Sequence, residues 1–446
     1  MRTRAIAVLL LIAAGCARIR PGAGLDDVER LVAERGAARL DTRAAPAAAR
    51  LAALLDGELT AERAVEIALF NNRSLRALYG RLGIAHADLV QAGLPPNPVL
   101  HAGVRFAVDG PGPGVEASLI ADFLSMIQIP LKKRVAGAAF EAAKLEVASA
   151  VVTLAADVKV AFYSLQGAGQ MLELRQTVAH ATSLSAELAT RQHAAGNIPD
   201  LDLASEQALH EEERLALSRA EAEVLAEREE LNVLLGLWGS HTGWTIARRL
   251  PELPARERPA AGLESLAVSR RLDLAAAWQQ ANVQAHTLGL TRLYGLIPGA
   301  GVEAEREPDG EWLVGPAVEV ALPVFDQRQA AVASVATQRD QSLERHAALA
   351  VEIRAHVRRA RTRMVGARAR AEHYHRVLVP LRRRIVAETQ RQYNAMLAGA
   401  FQLLQAKRDE IEAGRGYVEA LTEYWVARSE LERELGCELS QEGRPS

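Results

Sequence analysis

Cysteine is almost missing from this chain, with Cys16 and Cys437 the only two in 446 residues. That excludes a disulfide-stapled scaffold and any site built on clustered thiolates. Aromatic residues are only 4% of the chain, and neither sign of charge dominates, the formal net charge being -2. The first absence argues against a compact mixed core, and the second leaves no basic footprint for nucleic acid. No apolar run reaches the ~20 residues that a membrane-spanning helix requires. No Gly-rich loop followed by Lys-Ser or Lys-Thr is present, so ATP is not this chain's energy source. His373 and His375 stand two apart, which on a helix sends them to different faces, and no other spacing of histidines suggests a metal site.

What is abundant is alanine, leucine, glutamate and arginine, a composition that favours long helices. Proline is absent from Leu131 to Ile198, and Val147, Val151, Leu154, Val158, Phe162 and Leu165 follow the three-and-four spacing of a coiled-coil seam. From Asp200 to Trp238 a heptad column continues through Leu203, His210, Leu217, Val224, Leu231 and Trp238, every seventh residue. A helix of about 65 residues is about 100 Å long, wider than a single globular core. Such helices have to lie along one another. Pro380 interrupts a further helical stretch, so a kink or junction is expected near Val379.

The N-terminus reads MRTRAIAVLLLIAAGCAR: two arginines, an apolar run of about ten residues, and small residues before Cys16. This is the shape of a secretory signal over residues 1–15, and the last part is similar to a bacterial lipobox with Ala13 where a branched residue is usual. It implies a lipidated Cys16, and Ala17 after it implies sorting to the outer membrane. Residues 16–58 then read as a tether with at most short helices.

One unit is written twice. RQHAAGNIPDLDLASEQ from Arg191 matches RQYNAMLAGAFQLLQAK from Arg391, and the same offset of 200 (391 − 191) pairs Leu203 with Leu403, Leu231 with Leu431 and Gly236 with Gly436. The copies span 59–239 and 263–436, joined by a Pro-rich linker over 240–262, with a tail over 437–446. Each has the same order: a helix stopped by proline, a short alternating stretch, then two long helical segments around a turn. The stops are QAGLPPNPVL, with Pro95, Pro96 and Pro98, and LIPGAG, with Pro298. Proline lacks the amide donor and pushes the residue before it out of helical geometry.

After each stop, residues alternate with period two, apolar on one face and polar on the other, over about 99–108, 115–129, 300–307 and 311–324. That pattern suits strands with lipid on one side and water on the other, although a hairpin on a soluble core gives the same alternation. Four strands cannot close a membrane barrel, whose smallest forms need about eight. Several chains would have to share one.

With the double repeat, the proline stops and the segment LPVFDQRQA after the second hairpin, the sequence resembles the TolC-type outer-membrane factors, specifically a lipoprotein member. The resemblance covers residues from about Leu59 to Gly436. It implies a mainly α fold with a small β part: a homotrimer whose four strands per chain build one transmembrane β-barrel and whose long helices form an α-barrel across the periplasm. It also implies a passive exit duct that binds no cofactor and receives cargo from a periplasmic adaptor and an inner-membrane pump, of the resistance-nodulation-division type. The rival readings are a type I secretion duct and a poreless coiled-coil lipoprotein. By the resemblance, the helix turns near Gly196 to Asp200 and near Met396 to Ala400, the second containing Gly399, are adaptor-facing tips, with Arg191 and Arg391 just before them. Asp202 and Ser205, with their counterparts Gln402 and Gln405, are expected at the luminal constriction, so that ring is mostly amide and hydroxyl rather than carboxylate.

Overall fold

In the computed structural model, residues 19–36, 47–106, 113–122, 124–257, 259, 261–294, 299–306, 311–319 and 324–439 are described. Cys16 and Pro298 lie outside them. The chain opens with three short helices, α1 (Leu25–Ala33), α2 (Ala47–Leu55) and α3 (Ala61–Asn71), with strand β1 (Glu58–Leu59) before α3. Thr60 caps α3, its Oγ1 accepting the Arg63 amide. α4 (Arg73–Gln91) leads through the three prolines into β2 (Val99–Phe106) and β3 (Pro113–Asp122). Next come α5 (Ile129–Ala194), 66 residues without a break, and α6 (Asp200–Leu235).

The second half repeats that order. A short strand β4 (Thr245–Ile246) and helix α7 (Leu263–Arg270) precede α8 (Leu272–Tyr294), the hairpin β5 (Gly299–Arg306) and β6 (Trp312–Glu319), then α9 (Gln329–His373), α10 (Val379–Asn394) and α11 (Ala400–Leu435). A π-helical turn, Tyr374–Leu378, joins α9 to α10, with Pro380 in the first turn of α10. The proline cannot donate to the preceding turn, and the wider π turn absorbs the mismatch without ending the helical path.

The four long strands form one antiparallel sheet in the order β2-β3-β5-β6, so the hairpins of the two halves join edge to edge through Ser118 opposite Glu305 and Asp122 opposite Gly301. Leu100, Val104, Trp312 and Val314 are exposed on this sheet. One strand expectation is corrected. Residues Leu124–Gln128 form a 3-10 turn, and α5 begins at Ile129 with Pro130 in its first turn, so β3 stops at Asp122. The alternation of Phe123, Ile127 and Ile129 continues in sequence past the point where the helix start signal of proline takes over.

The described residues fall into two compact units, each drawing on both halves of the sequence. The first, within 78–147 and 272–350 plus the chain up to Val28, holds the sheet. There Lys144 bridges Asp27 at 2.8 Å and Glu141 at 2.7 Å, tying the start of α1 to α5. The second holds 29–77, 148–271 and 351–446. Its core is built of Ile67, Val151, Val158, Phe162, Leu231, Ile353, Val357, Tyr424 and Leu431. Close helix contact there depends on two glycines: a Cβ at Gly167 would stand 2.2 Å from the Thr422 hydroxyl, and one at Gly416 2.5 Å from the Tyr374 ring.

Candidate functional site

Both helix turns named from the sequence form, and they form alike. At the first, the amides of Ala195, Gly196 and Asn197 donate to the carbonyls of Arg191, His193 and Gln192; at the second, those of Ala395, Met396 and Leu397 donate to Arg391, Tyr393 and Gln392. Gly196 has φ 75° and Met396 φ 59°. The left-handed conformation is open to glycine and costs a side chain about 1 kcal/mol, so the second turn carries strain that the first does not. The Met396 side chain is 93% exposed and Leu397 79%.

The two arginines before the turns point into solvent and pair within their own helices, Arg191 with Glu187 and Arg391 with Glu388 at 2.9 Å. Exposed pairs of this kind contribute about 0.3–0.5 kcal/mol. Across the first turn, His193 Nε2 and Asp200 Oδ1 meet at 2.6 Å. Gly399 opens α11, and its amide donates to Gln402 Oε1 at 3.2 Å. Gln402 is therefore engaged as a helix cap. Gln405 Nε2 donates to Asp409 Oδ1 at 2.9 Å, and Ser205 Oγ donates to the Leu201 carbonyl at 2.7 Å. Asp202 is exposed in the first turn of α6.

Just past the turns lies a belt of ion pairs that sequence reading missed. Arg408 of α11 reaches Glu206 of α6 at 2.8 Å, Arg382 of α10 reaches Asp409 at 2.7 Å, and Arg175 of α5 reaches Glu213 of α6 at 3.0 Å. Ser185 Oγ donates to the same Glu206 carboxylate at 2.5 Å. Arg175, Thr182, Glu213, Arg408, Asp409 and Arg415 border a cavity of about 130 Å3 here. In sequence these residues sit in ordinary charged helix surface. Only the docking of α11 against α5 and α6 turns them inward.

Further along the same unit, the 240–262 segment is strapped to the helices. Trp425 Nε1 donates to the Pro251 carbonyl at 2.9 Å, Arg368 Nη2 donates to the Pro254 carbonyl at 2.8 Å, and the Tyr424 hydroxyl donates to Glu257. Arg368 and Arg428 also approach the Glu257 carboxylate, at 3.6 and 3.7 Å. Beside the strap, Lys159 pairs with Glu432 at 3.0 Å and Glu438 at 2.6 Å. Burial works against the lysine's charge, but the two carboxylates outweigh it and hold the ammonium's pKa above its ordinary value. Burial pushes the Tyr163 phenol up to about 12, with Glu62 adding to it, and pushes Tyr424 up as well, helped by its bond to Glu257.

In the first unit, Pro95, Pro96 and Pro98 are exposed between Gln91, where α4 ends, and Val99, where β2 begins. The helix closes with the amides of Gly93 and Leu94 donating to Val90 and Gln91. Three positions in the following four residues then lack a donor, and no further turn can form.

With this geometry in place, comparison with known proteins is specific. The family described as Outer membrane efflux protein matches residues 131–237, which are α5, the first turn and α6. The cobalt-zinc-cadmium resistance protein CzcC of Cupriavidus metallidurans is 25% identical over 405 residues, covering 85% of this chain and 90% of its own. Among solved structures, the outer-membrane protein VceC of Vibrio cholerae superposes with a TM-score of 0.69 at 15% identity, covering 85% of this chain and 97% of its own. The open-state outer-membrane channel MtrE of Neisseria gonorrhoeae superposes with a TM-score of 0.70 at 17% identity, covering 86% and 91%.

Proposed function

We propose that this chain, whose residues 131–237 match the outer membrane efflux protein family, is the passive exit duct of a tripartite efflux system. The observation that carries this reading is one sheet of two hairpins joined to helices of 66 and 36 residues. Four strands are too few to close a membrane barrel, which needs about eight at least. A homotrimer supplies them. The exposed Leu100, Val104, Trp312 and Val314 then face lipid, and the proline segment Pro95 to Pro98, with Pro298 as its counterpart, becomes the junction between periplasmic helix and barrel strand.

In this reading the chain sits in the outer membrane, anchored in addition through an acylated Cys16, and its helix turns meet a periplasmic adaptor. The exposed Met396 and Leu397 favour an apolar contact there, with Gly196, Asp200 and Gly399 shaping the turns and Arg191 and Arg391 beside them. An inner-membrane pump of the resistance-nodulation-division type supplies the energy. Metal cations are the cargo class favoured by the similarity to CzcC, whose name records cobalt, zinc and cadmium resistance.

The luminal constriction we assign to Asp202, Ser205, Gln402 and Gln405, held by amides and packing rather than by a carboxylate ring. Electron microscopy of the detergent-purified full chain tests the duct: a long hollow trimer is expected, and a monomeric rod would end the reading. Bilayer conductance tests the constriction. Strong block by periplasmic-side divalent cations that survives Asp202→Asn would overturn the assignment. Deletion of the gene should raise sensitivity to zinc, cobalt or cadmium, and sensitivity to organic drugs alone would point to a different cargo.

A further inference from the structure

Within the second unit two helical stretches carry opposite charge in excess. α6 bears eleven carboxylates against three arginines, whereas residues 351–394 of α9, the π turn and α10 bear twelve arginines against three glutamates. Many of these are engaged inside the chain: Glu206 with Arg408, Glu213 with Arg175, Arg363 with Glu430, Arg370 with Glu423, Arg382 with Asp409. Glu212 and Glu230 on α6, and Arg359 and Arg376 on the basic column, are exposed and have no ion-pair partner among the described residues. No hydrogen bond or ion pair among the described residues joins α6 to α9 or α10. The crowding on α6 is felt: burial first, then Glu230 and Glu223, hold the Glu227 carboxyl above its ordinary pKa.

Large apolar side chains lie exposed among these charges. Leu215, Leu225 and Val233 are 62%, 65% and 74% exposed on α6, and Val351, Val365 and Val377 are exposed on the basic column. Solvent is a poor neighbour for both sets, and each face has what the other lacks.

The heights agree. The Arg408–Glu206 pair sets α11 level with α6, and the Arg382–Asp409 pair sets α10 level with α11 one residue on. Counting about 1.5 Å per residue from Glu206, Glu212 stands about 9 Å along and Arg376 about 10 Å, while Glu230 and Arg359 both stand about 36 Å along. A rotation axis parallel to the helices preserves height, and a contact between two different faces closes into a ring when repeated.

We propose that the acidic face of α6 packs against the basic face of α9 and α10 on a second copy of this chain, with Glu212 opposite Arg376 and Glu230 opposite Arg359. This seam rests on the trimeric reading above and adds to it which faces meet, in which direction, and at which height. Buried apolar area supplies the affinity, and the charges fix partner and register by penalising like-with-like contact.

The test uses the full-length chain purified in detergent, in a Cys437→Ser background. Glu212→Cys combined with Arg376→Cys should give covalent trimer on mild oxidation, at least about tenfold more than Glu212→Cys combined with Arg359→Cys, whose heights differ by about 27 Å. Equal yields from the two pairs, or none from the matched pair in protein that native mass spectrometry shows to be trimeric, would overturn the seam. A second arm reverses charge. Glu212→Arg with Glu230→Arg should lower the temperature at which the trimer dissociates, and adding Arg359→Glu with Arg376→Glu should restore it; a fully swapped chain should co-purify with itself and not with tagged wild type. Free mixing of swapped and wild-type copies would count against the assignment. A wild-type chain that is monomeric by native mass spectrometry would remove the trimeric reading itself, a result distinct from failure of the seam alone.

Discussion

Gly236 and Gly436 end two helices of equal length, 36 residues each, in the same left-handed conformation, with φ of 67° and 68°. At both, the next residue's amide reaches five residues back, Leu237 to Asn232 and Cys437 to Glu432, which satisfies a carbonyl the helix end leaves open. The surroundings differ. A Cβ at Gly236 would stand 2.8 Å from the Asn71 carbonyl oxygen, whereas at Gly436 the nearest atom, Arg271 Cα, is 3.4 Å away. Gly236→Ala should therefore cost about 2–3 kcal/mol and Gly436→Ala about 1 kcal/mol. Urea unfolding followed by circular dichroism checks the order, and equal losses would show that the Asn71 contact yields freely.

Met396 occupies a backbone position that suits glycine. Met396→Gly should relieve about 1 kcal/mol of local strain, and Gly196→Met should add as much at the other turn. Hydrogen exchange of the turn amides reads both changes without requiring global unfolding. Slower exchange at Leu397 in Met396→Gly is the expected result. No change at either turn would mean that the surrounding bonds already compensate.

Stability should fall on the alkaline side. Lys159 and the phenols of Tyr163 and Tyr424 all have raised pKa values in the fold. Above their ordinary values, near pH 10, the unfolded chain loses these protons while the folded chain keeps them. Fewer protons on the unfolded state means that stability declines as pH rises. For Tyr163, pushed to about 12, the decline amounts to about 2 kcal/mol between the two values. Urea midpoints measured at rising pH should drop from about pH 10 upward, and less steeply in Tyr163→Phe. A midpoint that rises with pH would contradict the sign.

Glu257 is the strap's anchor, and among the described residues Arg368 Nη1 and Arg428 Nε have no hydrogen-bond partner to fall back on. Glu257→Gln should cost about 2–3 kcal/mol, near the low end for breaking a buried pair. Glu412→Gln, which removes an exposed partner of Arg415, should cost under about 0.5 kcal/mol. Thermal unfolding of the two variants side by side decides. Similar losses would show that the strap is held by its backbone contacts alone.

Pro95→Ala with Pro96→Ala should allow α4 to run on past Gln91 and displace the start of β2. The expected outcome is a lower yield of assembled protein in outer-membrane fractions, with helix content unchanged or slightly higher. Wild-type yield would mean that Pro98 and the strand pairing suffice to stop the helix.

Much of the fold was readable because it rests on local rules. The absence of proline from 131 to 198 and the apolar seam through Val147, Val151 and Val158 specify α5, and the proline cluster specifies where α4 gives way to strand. The error at residues 124–128 is also local: alternation and the helix-starting Pro130 conflict there, and periodicity alone does not say which prevails. The turns were located correctly, yet the capping role of Gln402 was not foreseen, since it depends on where one side chain folds back.

The sequence by itself determined the long helices, the proline-stopped hairpins and the matched turns, because backbone donors, φ restrictions and apolar period act between neighbours in the chain. Only the tertiary structure decided that Arg408 meets Glu206, that Glu257 gathers Tyr424, Arg368 and Arg428, and that Glu212, Glu230, Arg359 and Arg376 have no ion-pair partner among the described residues of their own chain. A charge on a helix surface has several reachable partners and small pairwise energies. Which of them it meets is settled by how the helices pack, and that is fixed by burial across long separations rather than by the charge itself.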